Sequence, residues 1–261
     1  MVKIKILNLS FSYDSIEALK NVSIEFKEGE VVSIIGPNGA GKTTLLKCIA
    51  KLLKPKKGVI YLDGRDIWSI SNRDLAKTLT HSLFEVPKGF NLTVLDFLLT
   101  SRYPHFRGFW ETKKDLDVVE EALTMVNAKY LAERRLEELS DGELQRIVMA
   151  KLIAHQAKVL LVDEPTVHLD LKYQLEILNM LRRISKINNT LTIMTLHDLR
   201  LASIFSDKLV LLHRGKIVAT GTPPEVLTEE NIAKTYGVEV EIIKHSKAGI
   251  IIVPLNTLSQ I

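Results

Sequence analysis

The chain has 261 residues, of which 46% are apolar, 25% charged and 6% aromatic. That is an ordinary globular composition, long enough for one large α/β domain or two small ones, and it excludes the fibrous and disordered classes. A formal charge of +4 would suit nucleic acid or anionic headgroups, but Lys and Glu interleave almost everywhere, so it reads as a solvated lysine-rich surface with no nucleic-acid partner.

From the start, residues 2–13 and 22–27 alternate apolar and polar, as half-buried antiparallel strands do. Val31-Val32-Ser33-Ile34-Ile35 is almost continuously apolar, which predicts a strand covered on both faces. It runs through a glycine-rich turn into a helix over about Gly41 to Leu52. The single cysteine, Cys48, lies in that helix and is expected to be a buried structural thiol. One cysteine forms no internal disulfide, in keeping with a reducing cytosol. Residues 68–155 read as mostly helical, with helices at Arg73–Leu79, Val94–Ser101, Lys113–Met125 and Asp141–His155. Buried strands follow at Lys158–Val162 and Leu191–Thr195, separated by a helix over Leu171–Lys186. This alternation predicts a mainly parallel sheet. Beyond Asp207 come short strands at Lys208–His213 and Lys216–Thr220, then a hairpin over Val238–Val253. No run approaches the roughly 18 apolar residues that cross a bilayer, and the opening Met1-Val2-Lys3-Ile4-Lys5 is too polar for a signal peptide. The expectation is a soluble chain that only a partner could hold at a membrane.

Gly36-Pro37-Asn38-Gly39-Ala40-Gly41-Lys42-Thr43 has the P-loop spacing G-x-x-x-x-G-K-[ST]. Glycines let consecutive N–H groups turn inward as an anion nest, and the helix that follows points its positive end at the same place. Lys42 is expected to reach the β- and γ-phosphates of a nucleotide, and the Thr43 hydroxyl to hold Mg²⁺, with Thr44 beside it. Val159-Leu160-Leu161-Val162 ends in Asp163-Glu164. Ligands of open parallel sheets bind at such strand ends, so Asp163 is expected in the metal shell and Glu164 against the attacking water. Leu139-Ser140-Asp141-Gly142-Glu143 opens a helix as an S-x-x-E capping box. The same geometry also aims backbone N–H groups and a helix dipole outward, as an anion-binding end.

With these elements in this order, the chain resembles the ABC ATPases from end to end. The resemblance implies an α/β P-loop NTPase fold. Residues 1–85 and 156–261 would form the RecA-like core with an antiparallel β portion, and about 86–155 a helical subdomain. It implies ATP as substrate with Mg²⁺, and a homodimer in which Ser140, Gly142 and Glu143 clasp the γ-phosphate held by the partner's P-loop. Asp170, in Val167-His168-Leu169-Asp170, would sit at the dimer seam. His197 matches the switch histidine that touches the γ-phosphate, and Tyr13 the aromatic on which adenine stacks. The sequence departs from the family in two places. Asp141 stands where Gly is usual, and Phe84 stands where a glutamine normally reaches the Mg²⁺ region, so Glu85 is expected to substitute for it.

Ser101-Arg102-Tyr103-Pro104-His105, Gly221-Thr222-Pro223 and Tyr236-Gly237-Val238 are similar to the importer branch that serves iron–siderophore, haem and cobalamin systems. Arg102–His105 reads equally as a helix-terminating loop, with Pro104 ending the helix. Phe84–Trp110, holding Phe97, Tyr103, Phe106, Phe109 and Trp110, is the expected docking segment for membrane permease subunits. The resemblance thus implies a peripheral subunit on the cytoplasmic face of the membrane. Alternatives are an ABC ATPase of another transporter, a non-transport ABC ATPase, or a regulatory nucleotide-binding module.

Overall fold

The computed structural model describes residues 3–83, 91–106, 111–167, 169–245 and 249–258. In chain order, Lys3–Tyr13 (β1), Ile16–Lys27 (β2) and Val31–Ile35 (β3) lead into helix Lys42–Ile49 (α1). Lys57–Leu62 (β4), Arg65–Asp66 (β5), Asn72–Thr78 (α2) and Leu79–His81 (β6) come next. The helices Val94–Leu99 (α3), Lys113–Met125 (α4) and Asp141–His155 (α5) precede Val159–Val162 (β7), Leu171–Asn188 (α6) and Leu191–Thr195 (β8). Leu199–Phe205 (α7), Lys208–His213 (β9), Lys216–Gly221 (β10), Pro223–Val226 (α8), Glu229–Tyr236 (α9), Val238–His245 (β11) and Gly249–Thr257 (β12) complete the described strands and α-helices.

The alternating strands form an antiparallel layer in the order β2-β1-β4-β5. Its inward residues, Ile4, Ile6, Leu9, Leu19 and Phe26, pack against α1 and the lower face of a second sheet. That sheet runs β10-β9-β3-β8-β7-β6, with β9, β3, β8, β7 and β6 parallel and β10 antiparallel at the edge. Every residue of β3, β7 and β8 is buried, as a strand covered on both faces requires. Phe97, Leu98, Val119, Ile147 and Leu152 from α3, α4 and α5 belong to the core on the opposite face.

The sheet order puts β8 between β3 and β7. The carboxyl ends of the three strands therefore open side by side, at Gly36, Asp163 and Leu196. This is the edge at which parallel α/β sheets bind ligands.

Several elements differ from the sequence reading. The helix expected over Arg73–Leu79 stops at Thr78, because Leu79 is buried as a strand residue paired with Val159. β4, β5 and helices α7 to α9 were not anticipated. The helix expected over Val94–Ser101 ends at Leu99 and continues as a 3₁₀ turn, Thr100–His105, that carries Pro104 inside it. Arg102 is buried there rather than presented to a partner. Its Nε donates to Asp115 Oδ1 at 3.1 Å, and its Nη1 donates to Ala154 O at 2.7 Å and to Gln156 Oε1 at 3.1 Å.

Candidate active site

The turn after β3 can be built only from glycine at its two ends. Gly36 has φ 145°, and a Cβ on it would lie 2.1 Å from Leu212 O. Gly41 has φ 102°, and a Cβ there would lie 2.5 Å from Ala18 O. Gly41 is also the N-cap of α1 and supplies no side-chain cap, so the first N–H groups of that helix keep no side-chain acceptor from their own cap. Lys42 is only 6% exposed. Its Nζ donates to Gly36 O at 2.9 Å and Pro37 O at 3.1 Å, folding the ammonium over the loop. Burial lowers the Lys42 pKa, and the charges of Glu164 and Asp163 act against that shift.

The carboxylates meet this loop from β7. Thr43 Oγ1 donates to Asp163 Oδ2 at 2.9 Å. Thr195 Oγ1, at the end of β8, donates to Asp163 Oδ1 at 2.7 Å and accepts the Glu164 N–H at 2.9 Å. Ser82 Oγ accepts the Asp163 N–H at 2.9 Å from the far side. His197 Nε2 lies 2.5 Å from Glu164 Oε1. The sequence reading named Lys42, Thr43, Asp163, Glu164 and His197, and they are gathered here. It missed Thr195 and Ser82, whose signal was register. β8 and β6 both pair with β7, with Met194 opposite Val162 and His81 opposite Leu161, so each hydroxyl comes one residue past a pair.

A cleft of about 620 Å³ opens beside the loop, lined by Asn38 through Thr44, Glu164, Tyr13, the stretch Ile16-Glu17-Ala18 and two further cations, Lys20 and Arg214. Tyr13 stands 43% exposed with its ring edge-on to Phe11 at 4.9 Å, free to offer a face to a planar base. The uncapped helix start and the cations suit a polyphosphate. Thr43 and Asp163 are hard oxygen donors of the kind Mg²⁺ takes. Among the described residues no group of three or more His, Cys, Asp and Glu could hold a metal ion.

The cleft lining, among the described residues, includes none of Ser140, Gly142, Glu143 and Asp170. Ser140 is exposed at the start of α5, where its Oγ accepts the Glu143 N–H at 3.3 Å and donates to Glu143 Oε2 at 2.9 Å. Asp141 is exposed beside it. Asp170 caps α6 by backbone conformation alone and faces solvent. Phe84 and Glu85, His168, and Phe109 and Trp110 lie outside the described residues. In the expected docking segment, Phe97 is core at 2% exposure, Tyr103 is 74% exposed and Phe106 leans on it at 5.5 Å. Cys48 is buried, which pushes its thiol up to about 12.

The chain is similar to known proteins in sequence and fold. A family model described as "ABC transporter" matches residues 19–167. The petrobactin import ATP-binding protein FpuC of Bacillus anthracis is 40% identical over 231 residues, 88% of this chain and 85% of its own. The ferric enterobactin transport ATP-binding protein FepC of Escherichia coli K12 is 33% identical over 251 residues, 95% and 92% of the two chains. Among solved structures, the dimeric bacterial ABC transporter cassette MJ0796 superposes with a TM-score of 0.76 at 28% identity, covering 84% of this chain and 98% of that one. No helix among the described residues is long and apolar enough to cross a membrane.

Proposed function

The chain belongs to the ABC transporter family as an ATP-binding subunit, and from that premise we propose that two copies hydrolyse ATP to power import of an iron chelate. One observation carries the chemistry. A buried lysine, a threonine–aspartate pair and a glutamate–histidine pair converge on the ends of adjacent strands beside the cleft. In this reading the loop Gly36, Pro37, Asn38, Gly39, Ala40 and Gly41 wraps the phosphates, Lys42 turns from its carbonyls to the β- and γ-oxygens, and Tyr13 stacks on adenine. Thr43 and Asp163 would hold Mg²⁺, which neutralises charge on the phosphate oxygens when bound. Glu164 orients the attacking water and accepts its proton, while His197 fixes the carboxylate by its contact to Oε1 and reaches the γ-phosphate.

The second half of the proposal concerns partners. The MJ0796 cassette is dimeric, and the exposed start of α5, separate from the cleft, suits a phosphate presented by a second copy. Ser140, Gly142 and Glu143 would close on that phosphate, with Asp170 at the seam and Glu85 in the role of the family's glutamine. Exposed Tyr103 and the rest of Phe84–Trp110 would meet a membrane permease, with the chain peripheral on the cytoplasmic face. The iron-chelate cargo rests on the names of FpuC and FepC.

Glu164→Gln tests the chemistry, since amide replaces carboxylate at nearly constant shape. Turnover should fall at least about 10²-fold, with nucleotide affinity held within about threefold. Full turnover in that variant would overturn the reading.

A further inference from the structure

Glu164 occupies a backbone conformation that its residue type seldom adopts. Its φ is 48°, in the left-handed region, and such strain persists only where the surroundings over-determine it. On the N-terminal side, the Glu164 N–H is held by Thr195 Oγ1 at 2.9 Å. On the C-terminal side, Pro165 has no N–H to give, and the turn closes weakly, Val167 N to Glu164 O at 3.3 Å. The hold there comes from side-chain amides. Gln145 Nε2, on α5, donates to Pro165 O at 3.1 Å. Gln174 Nε2, on α6, donates to Leu169 O at 2.9 Å and Thr166 O at 3.4 Å.

Gln174 therefore anchors the loop to the helix that follows it, whereas Gln145 anchors it to a helix from another part of the chain. That helix begins at Ser140, and Gln145 lies in its second turn. We propose that Gln145 is a positioning residue for Glu164. Its amide fixes the carbonyl of Pro165, the residue after the strained one, so the aim of the Glu164 carboxylate depends on where α5 stands. Any anion that draws on the exposed start of α5 then acts on the water-activating group through one hydrogen bond. The inference rests on the reading of Glu164 given above.

The test uses the full-length chain carrying Gln145→Leu, which keeps the side chain's bulk and removes the donor, and Gln145→Lys, which restores a donor of similar reach. Steady-state ATPase, binding of a fluorescent ATP analogue and thermal midpoint are measured for each, with Glu164→Gln alongside. The Leu variant is expected to lose about tenfold in kcat, with KM and analogue affinity within about twofold, because a misaimed group costs turnover rather than ground-state binding. The Lys variant should recover most of that loss. An unchanged kcat in the folded Leu variant overturns the proposal, as does a loss confined to KM or a Lys variant no better than Leu; each leaves Gln145 as a fastening for α5 alone. If the Leu variant does not fold, Gln145→Glu sets an acceptor against the Pro165 carbonyl and carries the same expectation. Full turnover of Glu164→Gln would sink the reading beneath; an inactive Glu164→Gln beside a normal Gln145→Leu sinks only this inference.

Discussion

Helices α1 and α5 both begin at a start that the proposal gives to a phosphate, and they are built in opposite ways. α1 starts from Gly41 with no side-chain cap, under a buried lysine, with both end glycines of its loop at positive φ. α5 starts from Ser140 with a complete capping box closed by Glu143, in solvent. The first start stays open to a ligand because its N-cap, Gly41, has no side chain to bond the first N–H groups. The second satisfies two of its N–H groups, those of Ser140 and Glu143, and keeps a folded helix when no ligand is near. An anion at α1 fills a built nest, whereas an anion at α5 has to compete with Glu143.

The glycines of the two ends give the largest contrast. Gly41→Ala forces a Cβ to within 2.5 Å of Ala18 O at φ 102°. It should cost about 3 kcal/mol or more, lowering the thermal midpoint by roughly 6–12 °C. Gly142→Ala meets nothing nearer than Leu169 Cδ2 at 3.9 Å, and inside a helix Ala is worth about 0.5–1 kcal/mol over Gly. Thermal melts of the two variants should therefore move in opposite directions. A Gly142→Ala melt as damaging as Gly41→Ala would show that the α5 start is as tightly built as the α1 loop.

That asymmetry was partly legible in sequence. The loop spacing marked α1, and Ser140 with Glu143 marked the capping box, because both are local patterns. The long helices Lys113–Met125 and Asp141–His155 were likewise readable residue by residue. What failed was short or non-local. β6 spans Leu79–His81, too few residues for any alternation to register, and only pairing with β7 makes it a strand. Thr195 looked like one more buried strand residue, and its role as the bond linking Asp163 to Glu164 exists only once β8 lies beside β7. Gln145 reads in sequence as an ordinary polar helix residue, and nothing near it names Pro165 as its acceptor.

The far end of α5 tests whether its openness extends along the helix. His155 is 8% exposed, and burial, helped by the nearby His105 and Arg102 charges, lowers its pKa to about 4. Between that value and the ordinary 6.5 the unfolded chain binds a proton that the folded chain refuses. Its contribution is thus whole above pH 6.5 and is lost as pH falls toward 4. The loss amounts to about 3 kcal/mol at most. Urea unfolding at stepped pH should show this slope in the parent chain and a shallower one in His155→Leu. Equal slopes would mean that water reaches the end of α5 as freely as its start.

Removing the cap itself should have a smaller effect. Ser140→Ala deletes the acceptor for the Glu143 N–H, worth about 1 kcal/mol of stability. If Ser140 also clasps the γ-phosphate held by a second copy, as proposed, the ATPase of the variant loses more than the melt predicts. An ATPase loss no larger than that of an equally destabilised variant elsewhere would reduce Ser140 to a helix cap.

Asp141 gives the smallest effect and the sharpest test of which role dominates at this end. As a carboxylate in the first turn it favours the helix dipole, by a few tenths of a kcal/mol at an exposed position. As a negative charge beside the same N–H groups it repels any phosphate that approaches them. The two effects have opposite signs and one shared signature, since both are screened within a Debye length of about 8–10 Å at ordinary ionic strength. Asp141→Asn should therefore lower the thermal midpoint by about a degree. It should also raise ATPase at limiting protein concentration by about two- to threefold in low salt, with both differences shrinking as salt rises. A loss of ATPase in low salt would mean that the carboxylate serves the clasp, and that the α5 start resembles the α1 nest more than its capping suggests.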